Sequence, residues 1–370
     1  MTRLLVVGCG FPQLSLVRAA KRRGWHVVGA DMNPRAVAVK LCDEFREVST
    51  SDVDALCALV ERDRFDAVTT TGSEVALKAT ADVTARLGLR FYADPATVRR
   101  CQDKDAMRAG YAAGGVAVPP FARCESLEDA RTFAERAGFP LVVVEAWLEG
   151  REYSVNGWIE DGRLVSYCVT ERITVPGNRP LGIMVAEVYP SGLSPADEAR
   201  VIDEARRGAA ALGHVRGPCY SQVALGARGC FLFETAARLG GGFDADVTRL
   251  ASGVDLYDRV LGVAVGDEAL ERQGVVADKH GGAIAKFLVA PPGPVRSVSG
   301  LDEARAMRGI DDAEVFVPPG GRVMPLTDSA KRAAYVLCHG ASRDEANARA
   351  DAALARIRID TTGDLQAEAT

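Results

Sequence analysis

The first 95 residues alternate between apolar strand patterns and helical periodicity, and that alternation constrains the fold more than any other feature. Arg3–Val7 is apolar, Gly8–Pro12 turns the chain, and Leu14, Val17 and Lys21 recur at helical spacing. His26–Ala30 is a second strand pattern that ends at Asp31. Ser51-Asp-Val-Asp54 reads as a capping box before a helix that turns Leu56, Leu59 and Val60 inward. Asp66–Thr71 gives a third strand, and Ala76, Val83 and Leu87 mark the next helix. Strands separated by helices cannot pair as hairpins, so the expected product is a parallel sheet with helices on both faces.

Beyond residue 95 the pattern changes. Residues 96–115 read as a connecting helix carrying Lys104, closed by Gly114-Gly115. Asp161-Gly162 is a two-residue turn signal inside a hairpin over 153–170, and residues 226–229 turn a second hairpin over 220–235. Ser126, Ser194 and Ser342 each stand where a helix would start. Residues 283–340 carry short strands punctuated by Pro-Pro-Gly turns.

Composition narrows the partners. Basic and acidic residues number 45 and 50, a net charge of −5, with no basic block. Nucleic acid is excluded as the main partner, because phosphate binding needs clustered positive charge. No run approaches 18 apolar residues, so no membrane partner is expected. Nine cysteines are scattered without a CxxC pair, which fits reduced thiols and a cytoplasmic location.

Two patterns carry candidate chemistry. Gly8-Cys-Gly10, with Asp31 ending the second strand, is part of a dinucleotide fingerprint, but Gln13 stands where the third glycine belongs. The hairpin over 220–235 is richer. Paired about its turn, it sets Gln222 opposite Glu234, flanked by Tyr220 and Leu232, and sends Phe231 and Phe233 to the buried face. A glutamate opposite an amide, with Arg238 four residues on, suits a Mg–triphosphate group: oxygen ligands for the metal and a guanidinium for the remaining charge. Cys219 could serve as a nucleophile, although a small buried residue there is the simpler reading. Arg172, at the end of a hairpin strand, is a candidate for a substrate carboxylate.

The run Phe231-Leu-Phe-Glu-Thr-Ala-Ala-Arg-Leu-Gly-Gly-Gly242 resembles the end of an ATP-grasp catalytic core. Val144-Glu-Ala-Trp-Leu-Glu-Gly-Arg-Glu-Tyr-Ser154 resembles the adenine hinge of that family, and Gln102-Asp-Lys104-Asp-Ala-Met107 its phosphate-contacting lysine helix. Phe287-Leu288, Gly300-Leu-Asp-Glu-Ala304, Pro325-Leu-Thr-Asp-Ser329 and Ser342-Arg-Asp-Glu-Ala346 are similar to the C-terminal domain of stand-alone amino-acid ligases in the superfamily. The resemblance implies an α/β ATP-grasp architecture of three domains: residues 1–95, a core over 96–275 and an α+β domain over 276–360.

It further implies an ATP-dependent carboxylate–amine ligase that uses ATP and Mg2+ and acts on a small-molecule carboxylate and amine, with a homodimer as an open assembly. Arg238 would be catalytic, contacting the transferred phosphate. Lys104 would contact phosphate, Glu145, Ala146 and Leu148 would form the adenine hinge, and Glu152 would hold the ribose. Gln222 and Glu234 would be the metal ligands, and Arg172 and Gly241 substrate contacts. Ala236 stands where the family often has a metal-binding asparagine. A larger departure lies near 143–145, where family members insert a lysine and a glycine-rich hairpin over the phosphates. Here Val144 runs straight into Glu145, and no lysine occurs between Lys104 and Lys279. That apparent deletion motivates the alternative: a homologue with impaired turnover that binds a nucleotide or metabolite. A nicotinamide-dependent oxidoreductase is the third reading.

Overall fold

A computed structural model describes residues 1–118, 121, 124, 126–137, 150–175, 182–272 and 281–361. β1 (Arg3–Val7), α1 (Phe11–Arg22) and β2 (His26–Asp31) follow the expected alternation. β3 (Glu44–Glu47) does not, because Glu-Phe-Arg-Glu has one apolar residue and gives no strand signal. It pairs as the edge beside β2, and its Glu44 is bound by Arg3, His26 and Arg46. α2 (Val53–Asp63), β4 (Ala67–Thr69) and α3 (Glu74–Leu87) complete a parallel sheet of order β3-β2-β1-β4.

The start of α2 corrects the capping expectation. Asp52, not Ser51, is the N-cap, and its carboxylate accepts from the Ala55 amide at 3.0 Å. Ser51 instead meets the Ser49 hydroxyl at 3.0 Å. A full negative charge at the positive end of a helix outcompetes a neutral hydroxyl. Asp52→Ala is expected to cost about 1 kcal/mol in urea unfolding, and Ser51→Ala close to nothing. Equal losses from the two changes would contradict the assignment.

The single connecting helix expected after residue 95 is two helices, α4 (Pro95–Gln102) and α5 (Lys104–Ala113). Asp103 breaks them, because its carboxylate caps the Asp105 and Ala106 amides and so restarts the helix at Lys104. α6 (Leu127–Ala137) begins with the expected reciprocal bonds between Ser126 and Asp129.

Next come β5 (Arg151–Glu160), β6 (Arg163–Thr174), β7 (Met184–Tyr189), α7 (Pro195–Ala211), β8 (Gly217–Gly226) and β9 (Gly229–Ala236). α8 (Asp244–Ser252), α9 (Leu256–Val265) and α10 (Glu268–Glu271) lead to β10 (Gly282–Leu288) and β11 (Gly293–Ser299). The last elements are α11 (Leu301–Arg305), β12 (Ile310–Val315), β13 (Arg322–Val323), β14 (Ala334–Gly340), α12 (Arg343–Leu354) and β15 (Arg358–Thr361). Among the described residues, eight strands form one antiparallel sheet of order β12-β14-β10-β7-β6-β5-β8-β9, while β13-β11-β15 form a small third sheet.

The large sheet separates its faces by strand alternation. Val155, Val223 and Leu232 enter the main apolar core. α7 packs on this side, and Gly208 lets it approach Leu232 so closely that any side chain there would collide. This corrects the expected phase of β9: Leu232 is fully buried, whereas Phe231 and Phe233 are only half-buried. The cause is a bulge. Leu225 pairs with Cys230 and Val223 with Leu232, but Gln222 pairs with Glu234, so Phe233 is an extra residue in the ladder. The bulge places Glu234 opposite Gln222 and spoils simple alternation on either side of it.

Candidate active site

The opposite face of the large sheet carries a row of polar side chains. Register sets Glu187 of β7 beside Arg172 of β6, Arg172 beside Glu152 of β5, and Gln222 of β8 beside Glu234 of β9. The Gln222 amide nitrogen donates to Glu152 Oε2 at 2.8 Å, and an Arg172 guanidinium nitrogen lies 3.4 Å from the same oxygen. At the far end Lys104, the first residue of α5, donates from Nζ to Glu234 Oε2 at 2.7 Å. Burial pushes the Glu234 carboxyl up, but the charges of Lys104, Arg238 and Arg172 outweigh it and hold the group below its usual range.

Arg238 follows β9 and is 9% exposed. Its Nε donates to Glu74 Oε1 at 2.6 Å, its Nη1 to the Leu239 carbonyl at 2.9 Å, and its guanidinium lies 5.7 Å from the Tyr220 ring centre. Glu74 opens α3, so the first sheet supplies the counter-charge that orients this arginine. Gly241 lies against the same sheet: a Cβ there would come within 2.8 Å of the Gly72 carbonyl oxygen. Lys104, Glu152, Gln222, Glu234 and Arg172 thus share one face, with Arg238 and Gly241 on the loop beside it. Glu145, Ala146 and Leu148, with the apparent deletion, lie outside the described residues.

A second, more enclosed group sits next to this row. Glu187 is fully buried, accepting from Ser154 Oγ at 2.9 Å and Thr170 Oγ1 at 2.6 Å, with Arg172 Nε 3.5 Å away. Burial and the nearby Asp244 charge push its carboxyl well above the ordinary value, against the pull of Arg172. Asp244 opens α8; one carboxylate oxygen accepts from the Gly242 amide at 2.9 Å, and the other is buried with no hydrogen-bond partner among the described residues. Arg172 Nε is likewise buried without a hydrogen bond. Arg332 completes the group, with its guanidinium 3.7 Å from the Phe287 ring centre, and burial pushes it down to about 10.

Sequence reasoning missed Glu187, Asp244 and Arg332. The first had a signal, a lone carboxylate inside the otherwise apolar strand Met184–Tyr189. The other two reach the site only through tertiary packing.

Two weaker candidates resolve. Cys219 is buried, and burial pushes its thiol up to about 12, so it stays protonated and unreactive. The Gly8–Gly10 turn is closed by its own residues: Gln13 is buried, and a Cβ at Gly8 would lie 3.0 Å from its Cδ. The Gln13 amide donates to the Thr71 carbonyl at 2.6 Å, and Asp31 accepts from the Cys9 and Asn33 amides at 2.8 and 2.9 Å. Gln13 therefore fills the turn that a dinucleotide pyrophosphate would approach, and backbone amides engage both oxygens of the Asp31 carboxylate.

The donor set suits magnesium carried in with a nucleotide. Among the described residues no group of three or more acidic, histidine or cysteine side chains could hold a metal alone. Glu234 offers a carboxylate and Gln222 an amide oxygen, turned away from the nitrogen that Glu152 engages. Magnesium is commonly held by one or two such groups with substrate phosphates completing its shell. Among the described residues, no helix is long and apolar enough to cross a membrane.

Residues 286–362 match the L-amino acid ligase C-terminal domain 2 family. An uncharacterized protein of Sinorhizobium fredii, y4rH, is 24% identical over 90% of this chain and 77% of its own length. The crystal structure of an L-amino acid ligase from Bacillus licheniformis superposes with a TM-score of 0.79 at 18% identity, covering 98% of this chain and 99% of that one. The biotin carboxylase domain of Hydrogenobacter thermophilus 2-oxoglutarate carboxylase, solved with MgADP, ADP and bicarbonate, gives 0.76 at 16% identity, over 97% and 91% of the two chains.

Proposed function

We propose that this chain, which has the ATP-grasp fold and an L-amino acid ligase C-terminal domain 2, is an ATP-dependent ligase joining an amino-acid carboxylate to an amine. The observation that carries the amino-acid reading is a buried donor and a buried acceptor that make no hydrogen bond among the described residues: Arg172 Nε, which lies 3.5 Å from the Glu187 carboxylate, and Asp244 Oδ1. A buried donor or acceptor without a hydrogen bond costs about 1–3 kcal/mol. A zwitterion offers a carboxylate to the first and an ammonium to the second, and so relieves both.

The reaction proposed is transfer of the ATP γ-phosphoryl group to the substrate carboxylate, giving an acyl phosphate and ADP. The amine then attacks the acyl carbon and phosphate leaves. Arg238, locked by Glu74, presents a fixed positive charge where phosphoryl charge develops, so no reorganisation is needed during transfer. Lys104 screens the same phosphates, and Glu152 is the acceptor for ribose hydroxyls. Glu234 and Gln222 would hold magnesium, which when bound neutralises phosphate charge and aligns the chain for in-line transfer. Arg172, Arg332, Asp244 and Gly241 bind and orient the substrates.

ADP release measured across panels of amino acids and amines tests the reading. Release that requires both partners and matches amide formation one to one is the expected result. Release with an acid alone, and no amide, would contradict it.

A further inference from the structure

A cavity of about 270 Å³ lies away from the polar face of the large sheet, where three distant stretches of chain meet. α1 contributes Ser15, Arg18 and Arg22, α8 contributes Asp246 and Arg249, and α11 with β12 contributes Arg305, Asp311 and Asp312. Four arginines therefore face three aspartates, and the balance turns on how many of the acids are already satisfied.

All three are. Asp312 is bound by Arg18 and by the Tyr335 hydroxyl, and Asp311 meets His339 Nδ1 at 2.6 Å. Asp246 accepts from the Tyr257 hydroxyl at 2.7 Å, and burial pushes its carboxyl up to about 6. The arginines are satisfied unequally. Arg305 is spent on Glu314 and the Ala313 carbonyl, and Arg18 on Asp312 and Tyr335. Arg22 makes one ion pair among the described residues, 3.2 Å to Asp255, on a side chain that is largely exposed. The Arg249 guanidinium, half-buried at the cavity wall, makes no hydrogen bond or ion pair within 4 Å among the described residues, although its charge acts on Asp246 and Asp255. Two guanidiniums from different stretches of chain thus retain free donors over one small cavity.

We propose that this cavity is a binding site for a small phosphate-bearing anion, gripped by Arg249 and Arg22. Guanidinium forks match phosphate oxygens bidentately, which a chloride ion cannot exploit. The volume is just below the usual range for drug-sized ligands, so inorganic phosphate or a compact phosphate monoester has room in it. Because the grip joins α1 to α8, occupancy ties the first sheet to the helices packed on the large one. The proposal does not depend on the ligase reading, since it concerns different residues.

Calorimetric titration with inorganic phosphate, without nucleotide and at constant ionic strength, tests it. The parent chain should bind phosphate, Arg249→Gln at least tenfold more weakly, and Arg22→Gln more weakly by a smaller factor. Arg62→Gln, exposed on α2 and outside both sites, should bind like the parent, and sodium chloride in place of phosphate should give no heat of binding. Parent-like binding by both cavity variants overturns the proposal, as does no binding by the parent. If Arg249→Gln does not fold, Arg22→Gln decides alone, because that exposed side chain carries no packing: binding equal to the parent overturns the assignment.

Discussion

Replacing Glu234 by Gln should lower Mg-dependent ADP binding and Mg-ATP turnover by about 10²–10³-fold, the loss typical when one preorganised charge contact is removed. The glutamine keeps the shape of the side chain and its place opposite Gln222 across the bulged hairpin. It removes the carboxylate that Lys104, Arg238 and Arg172 hold in its charged form. Gln222→Ala should weaken the same signal less, because the amide contributes a dipole and leaves the formal charge in place. The fold should survive both changes. The Lys104–Glu234 pair is partly exposed, at 57% and 31% of the two side chains, and such pairs contribute at most about 1 kcal/mol. Calorimetric titration of MgADP, with ADP plus EDTA as the baseline, reads the effect. Parent-like Mg-dependent binding by Glu234→Gln would make this glutamate a surface ion-pair partner and nothing more.

Much of that row was legible in the sequence because a hairpin is a local structure. The turn at 226–229 and the alternation on either side bring Gln222 to Glu234 from only 12 residues away. The bulge that perfects the pairing was not legible: Phe233 looks like any other strand aromatic, and the expected burial of Phe231 and Phe233 failed for that reason. Parallel alternation in the first 95 residues was likewise readable wherever strands are apolar, and lost at Glu44–Glu47, where edge position and ion pairs stand in for hydrophobicity. Long-range partners carried no signal. Glu74 reaches Arg238 across 164 residues, and Arg332 reaches Met184 across 148, through packing that no local pattern encodes. Local physics therefore revealed the Gln222–Glu234 pair and Arg238, while the compartment formed by Glu187, Asp244 and Arg332 emerged only once the sheets were assembled.

That compartment yields the largest stability effect expected. Arg172→Met should destabilise the folded chain by about 3 kcal/mol at pH 8, because it leaves Glu187 buried without its ion-pair partner. Methionine approximates the apolar stem of arginine, so the loss is electrostatic rather than a cavity. The effect should depend on pH in a definite direction. The Glu187 carboxyl is raised well above its ordinary value in the folded chain, chiefly by burial. A raised acid favours folding while protonated, so its contribution is complete below the unfolded value of about 4.3. It is then lost progressively as pH rises through the folded value. Arg172 is the charge that pulls this carboxyl down, so its removal raises the folded value further and deepens the loss at alkaline pH. The variant should therefore be close to the parent at pH 5 and melt roughly 5–10 °C lower at pH 8. Arg172→Lys keeps a cation and should recover most of the stability, yet it lacks the fork that grips a carboxylate, so KM for the proposed amino-acid substrate should rise while the melting temperature stays near that of the parent. A melting deficit for Arg172→Met that is the same at pH 5 and pH 8 would show that the arginine stabilises by packing alone, and the charge compartment would lose its place in the substrate reading.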